Sequence, residues 1–216
     1  ITDHNNLDAK LGEGYTSGVL VIVGTELSTE SGHILGLGFP EPTFRFSGDT
    51  LDTLVDIHDL GGVGFAAHPN HPRPDLRWTG WEFPGPWGIE ILNGDAQWRA
   101  AGWGETVRAA LTYPLNPVYA LLKLLSYPEA TLRHWDQLLV DRNVAALAGT
   151  DAHSYVSLTE RVGVRFPSYE SMFRLAQNHI LLARPLSGNA TTDSTAIVAS
   201  LAHGRGYVGF DGLAPA

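Results

Sequence analysis

The sequence predicts an α/β domain built mainly on parallel strands, and three observations carry that expectation. Short apolar runs alternate with helix-period segments along the chain, an order that favours β/α units over a sandwich. Some runs, such as Val144-Ala-Ala-Leu-Ala-Gly-Thr150, are small or apolar almost throughout, as strands covered on both faces are. Acidic and imidazole side chains recur just after these runs, where the loops of a β/α domain build sites.

Strands are expected near residues 19–27, 33–37, 63–67, 88–92, 144–149, 179–183 and 206–210. The first delivers Glu26, Gly62-Val-Gly-Phe-Ala-Ala67 delivers His68, and Val144–Thr150 delivers Asp151 and His153. Side chains alternate along an extended chain, so Asp151 and His153, two apart, can reach one cation. Helices are expected near 49–60, 97–111, 117–125, 128–141, 168–177 and 191–203. Pro114 and Pro117 break the helical middle, and Pro128 stands where a first-turn proline opens a helix. A chain of 216 residues can bury one substantial core, so residues 1–216 are read as a single domain.

Composition narrows the function. With 44% hydrophobic and 17% charged residues the chain carries the composition of a folded domain. Fourteen basic residues against 23 acidic ones, a net charge of -9, argue against a nucleic-acid surface, which needs clustered cations. No 18-residue apolar segment and no signal-like start is present, so a soluble protein without membrane insertion is expected, with its compartment, cytoplasmic or exported, left open. Oligomeric state is also left open. The absence of cysteine rules out a closed thiolate zinc site.

Thr2-Asp3-His4, Thr25-Glu26, Gly32-His33, Ala67-His68-Pro69 and Asp151-Ala-His153 bring carboxylates and imidazoles from separate segments. Such a thiolate-free set suits zinc, manganese or iron, and one metal-lined pocket explains the recurrence. Each residue also has an ordinary reading: Asp3 as a helix cap, His4 as a loop residue, His33 as a satisfied strand histidine. His71, three residues after His68, is a further candidate, and Glu90 and Asp95 flank a strand that could border the pocket. His58, His134, His179 and His203 are expected to face solvent. Trp78, Trp81 and Trp87 lie in a loop rich in proline and glycine that reads slightly better as an apolar plug than as an aromatic lid, and Trp98 and Trp103 are expected in the core.

Together, Ile1-Thr-Asp-His-Asn5, Gly24-Thr-Glu-Leu-Ser28 with Gly32-His-Ile-Leu-Gly-Leu-Gly38, Ala66-Ala-His-Pro-Asn70 and Gly149-Thr-Asp-Ala-His-Ser154 resemble successive motifs of the PHP (polymerase and histidinol phosphatase) superfamily. Phe166-Pro-Ser-Tyr-Glu170, Arg184-Pro-Leu186 and Gly204-Arg-Gly-Tyr207 resemble the C-terminal part of a bacterial branch with carbamate-hydrolase relatives. The resemblance implies a distorted (β/α)7 barrel. The family's His-x-His pair on a first strand has no counterpart here, so the chain is expected to be truncated at its N-terminus and to lack that strand.

The same resemblance implies two or three divalent ions, Zn, Mn or Fe. Glu26 would bridge two of them, with Asp151 on the first and His33 and His68 on the second, while His4 and His153 hold a third. On the residues themselves, Asp3 or His153 is the nearest candidate for catalytic proton transfer, and Arg161 and Arg205 are candidate phosphate clamps. Such ions acidify a water and polarise a phosphoryl or carbonyl oxygen. The expected activity is hydrolysis of a small-molecule phosphoester, with ester or carbamate hydrolysis or a non-catalytic PHP-like module as alternatives.

Overall fold

The computed structural model describes residues 1–85, 87–153, 156–159, 162–164 and 166–213, with the backbone alone for 156–159 and 162–164. The N-terminal half runs β1 (Thr2–His4), β2 (Gly14–Thr16), β3 (Val19–Val21), β4 (Gly24–Thr29), β5 (Gly32–Leu37), α1 (Thr50–Asp59), β6 (Val63–Ala66) and β7 (Gly88–Asn93). It continues with α2 (Gly94–Ala100), α3 (Trp103–Thr112), α4 (Pro117–Leu122), α5 (Glu129–Asp141), β8 (Ala146–Gly149), β9 (Val156–Thr159) and β10 (Val162–Val164). The chain closes with α6 (Tyr169–Phe173), β11 (Gln177–Ile180), α7 (Ala190–Ala202) and β12 (Gly206–Gly209).

Six strands form one curled mixed sheet in the order β1-β4-β5-β6-β7-β8. β1 pairs parallel with β4, and β6, β7 and β8 pair parallel in turn, while β5 runs antiparallel to both β4 and β6. The reversal follows from chain length: only Glu30 and Ser31 separate β4 from β5, whereas a parallel crossover needs about a dozen residues or more. Gly32, at φ +121°, takes the turn conformation that a side chain disfavours.

This architecture corrects the expected (β/α)7 barrel: the sheet is a six-stranded half-barrel, with the remaining strands in three separate two-stranded pairs, β2–β3, β9–β10 and β11–β12. The outer edge of β8 is met by a side chain. The Asn178 carboxamide accepts from Ala148 N and donates to Ala148 O, both at 2.8 Å, which satisfies the backbone groups a neighbouring strand would have taken.

Local sequence accounts for the helices around the sheet. Asp49 caps α1 by accepting from Asp52 N at 2.9 Å, and the helix buries Leu54 and Ile57 in a cluster with Leu27, Ile34 and Phe39. Trp78 and Trp87 complete that cluster at 2% and 3% exposure, so this part of the loop is an apolar plug. The helix expected over 97–111 is two helices, because the Gly102 N–H donates to Glu105 Oε2 at 3.0 Å and opens a new first turn. That break leaves Trp103 82% exposed, against the expectation of a core residue, while Trp98 packs partly buried beside α4.

Candidate metal centre

The parallel strand ends and the β4–β5 hairpin bring the predicted ligands to one side of the sheet. The β1–β4 register sets His4 opposite Glu26. Across the hairpin His33 pairs with Ser28, which places it diagonal to Glu26 on the same face. β6 then ends where Ala67 N donates to His33 O at 3.0 Å, and His68 follows with φ +28°, in the left-handed region that a bulky side chain rarely adopts.

Glu26 Oε1 lies 2.8 Å from His33 Nδ1 and 3.0 Å from His68 Nε2, and those two nitrogens stand 3.2 Å apart. Two imidazole lone pairs do not face each other at that distance without a proton or a cation between them. Four ligands at the roughly 2.0–2.1 Å typical of zinc stand about 3.3 Å from one another, so this N, N, O triangle fits one divalent ion. Glu26 and His68 are buried and His33 half-buried, while His4 Nε2 approaches Glu26 Oε2 at 3.7 Å from the exposed rim. Burial opposes ionisation of Glu26, but the hydrogen bonds from His33 and His68 and the nearby imidazoles prevail and hold its pKa down to about 2.

A second group gathers beyond β7 and β8, where oxygen or nitrogen atoms of Asp95, Asp151 and His153 approach within one ion's reach. Asp151 follows β8 with φ +47°. Burial, with the Glu26 charge behind it, pushes its carboxyl up. His153 Nδ1 lies 2.9 Å from Asp151 O and 3.4 Å from Asp151 Oδ1, and the ring is exposed. Asp95 carries an ion pair from Arg99 Nε and lies 3.7 Å from His71 Nε2.

A cavity of about 550 Å³ joins the two groups, bordered by Asp3, His4, Glu26, His68, Asp151 and His153. The structure thus brings together the predicted metal ligands and Asp3, His33 reaching the group through its contact with Glu26. Asp3 lies on the rim, where Thr25 Oγ1 donates to its backbone carbonyl at 3.0 Å.

Three residues earn more weight than the sequence alone gave them. Glu90 is buried and accepts from His68 N at 2.6 Å, Asn93 is buried beside it, and Asp95 joins the second ligand group. The signal was the polar spacing of Gly88-Ile-Glu-Ile-Leu-Asn-Gly94, a carboxyl and an amide in an otherwise apolar strand. His71 is buried between the two groups, its ring edge-on to that of His68 at 5.3 Å and its Nε2 3.7 Å from Asp95 Oδ2.

Of the histidines expected in solvent, His58 and His203 are exposed. His134 instead packs on the Trp81 ring at 4.1 Å, and His179 stacks on Tyr207 and pairs with Asp211 at 2.9 Å. The tryptophans of the 69–88 loop do not border the ligand cavity. Arg205 is exposed and also lies away from that cavity; Arg161 falls outside the described residues. No family model, curated protein or solved structure matches this chain.

Proposed function

We infer that the chain is a metal-dependent hydrolase of PHP type that cleaves small phosphoesters. The observation that carries this reading is Glu26 Oε1, held within 3.0 Å of imidazole nitrogens from two other segments at the wall of the 550 Å³ cavity that Asp151 and His153 also border. Glu26, His33 and His68 would hold one divalent ion, with Glu26 extending to a second beside Asp151 and His4 with His153 on a third. Ions held there supply Lewis-acid polarisation of the scissile group and an acidified water.

The chain's own groups do the rest. Glu26 stays ionised at any physiological pH, so its oxygens remain acceptors. Asp3 and His153 stand exposed at the cavity rim; Asp3, or His153 where it holds no ion, can take a proton from the attacking water and pass it to a departing alkoxide oxygen. Tyr169 and Phe173 of α6 supply an apolar wall for the alcohol portion.

A specific observation favours ester or carbamate hydrolysis as the second reading. The described lining of the cavity includes no Lys or Arg, so a neutral acyl group is accommodated without the cationic clamp that phosphate sites commonly carry.

The test is metal content by elemental mass spectrometry on protein purified without chelator or histidine tag, followed by assays with saturating Mn or Zn. Two or more ions per chain with turnover of a nitrophenyl phosphoester support the first reading. Turnover of a naphthyl carbamate alone moves the assignment to the second. Metal-free protein with neither activity leaves a non-catalytic module and overturns both.

A further inference from the structure

Glu90 lies on β7, one strand from His68, and is 2% exposed. Its Oε2 accepts from the backbone N–H of His68 at 2.6 Å and from Asn93 Nδ2 at 3.0 Å. That Asn93 nitrogen also lies 3.4 Å from Asp151 Oδ2, while Asn93 Oδ1 is committed to capping α2 through Ala96 N at 2.8 Å. Two side chains of β7 therefore connect the ends of β6 and β8. Both residues they reach, His68 and Asp151, have positive φ, a backbone state that persists only where surrounding contacts enforce it.

The opposite side is closed as well. A Cβ built on Gly149 would collide with Glu90 Oε1, so this carboxyl fills the space that a side chain on β8 would take. The bond to His68 is short, and it acts on the backbone of a residue whose Nε2 lies 3.0 Å from Glu26 Oε1. A turn of a few degrees in the His68 backbone displaces that ring nitrogen, and ligand groups tolerate only small misplacements.

We propose that Glu90 is a positioning residue: its carboxyl, gripping the His68 N–H and steadied by Asn93, locks His68 in the left-handed conformation that turns its Nε2 onto Glu26. The proposal rests on the metal-centre reading for its effect on ion binding, but not for the hydrogen bond itself. Asn93 carries the same constraint to Asp151, so the two ligand groups are set by one buried hub. Outer groups of this kind commonly change metal affinity tenfold to a hundredfold.

Mn²⁺ and Zn²⁺ titrations by calorimetry, with protection of the His68 amide measured by hydrogen exchange, test it on the full chain. Glu90→Gln keeps a carbonyl acceptor and is expected to bind within about threefold of the parent. Glu90→Leu keeps the bulk without the acceptor and is expected to lose at least tenfold in affinity, with unchanged far-UV circular dichroism and faster exchange at His68. Gly149→Ala, which displaces the carboxyl without altering it, should reproduce that loss and decides the matter if Glu90→Leu fails to fold.

Parent-like binding by a folded Glu90→Leu or by Gly149→Ala overturns the proposal. So does a Glu90→Gln loss as large as that of Glu90→Leu, which would make the charge itself a ligand. If the parent binds no ion, the metal-centre reading fails. His68 exchange then judges the hub: acceleration in Glu90→Leu upholds it and unchanged exchange rejects it.

Discussion

The two halves of the ligand cavity are built differently. Around β4, β5 and β6, Glu26 and His68 are 6% and 4% exposed and interlocked with His33 by contacts of 2.8–3.2 Å. Around β1 and β8, the His4 and His153 side chains are 50% and 58% exposed and reach their carboxylate partners only at 3.7 and 3.4 Å. The buried half is made by adjacent strands, whose hydrogen-bonded register leaves a side chain little freedom. The exposed half stands on residues with solvent on one side, where ordering costs entropy that few contacts offset. The comparison separates a preformed buried cluster, the candidate ion seat, from a solvent-exposed rim.

The sharpest way to break it is Glu26→Gln. The change removes one charge and one ligand oxygen from the preformed seat, and metal content should fall by at least one ion per chain in elemental analysis while the fold survives. Unchanged metal content would remove the bridging role. Next in size is the contrast between His68→Ala and His153→Ala in urea unfolding. The buried deletion leaves Glu26 short of a partner and should cost about 1–3 kcal/mol, whereas the exposed one should stay within about 0.5 kcal/mol. Equal losses would erase the distinction between seat and rim.

Two buried carboxyls give opposite pH signatures in chelator-treated protein. The pKa of Glu26 lies at about 2 in the fold, below its ordinary 4.5, so its stabilisation is present above pH 4.5 and is lost as pH falls towards 2. Glu26→Gln should therefore flatten the acid limb of a stability-against-pH curve. Burial pushes Glu90 the other way, to about 7, so the folded protein keeps a proton that the unfolded chain releases and stability falls between pH 4.5 and 7. Glu90→Gln should remove that decline, a gain at pH 8 relative to pH 4 of up to roughly 3 kcal/mol. A parallel pair of curves would show that Glu90 titrates normally. The smallest effect is expected of His58→Gln: His58 is exposed in the last turn of α1, and metal content should not change.

Much of the candidate site was legible because its polar residues follow apolar runs. The runs 19–25, 62–67 and 144–150 delivered Glu26, His68, Asp151 and His153 to one cavity, since buried strands leave their polar ends at a common edge. His33 was legible as a strand histidine but its partner was not, because the diagonal to Glu26 depends on the hairpin register. Glu90 was underweighted for a similar reason. A glutamate inside a strand reads as a side chain facing water until the neighbouring strands bury it. The barrel expectation failed at β5, where the two-residue turn forces antiparallel pairing, and at β8, where Asn178 takes the edge.

By itself the sequence determined the α/β character, most helix positions, the lack among the described residues of a helix long and apolar enough to cross a membrane, and the carboxylate and imidazole chemistry of the candidate site. These follow from periodicity, capping and composition, which act over a few residues. Tertiary structure alone decided the strand order, the half-barrel, the pairing of Glu26 with His33 and His68, and the burial of Glu90. Each of these depends on contacts between separate elements, where register and packing set distances that local propensity does not encode.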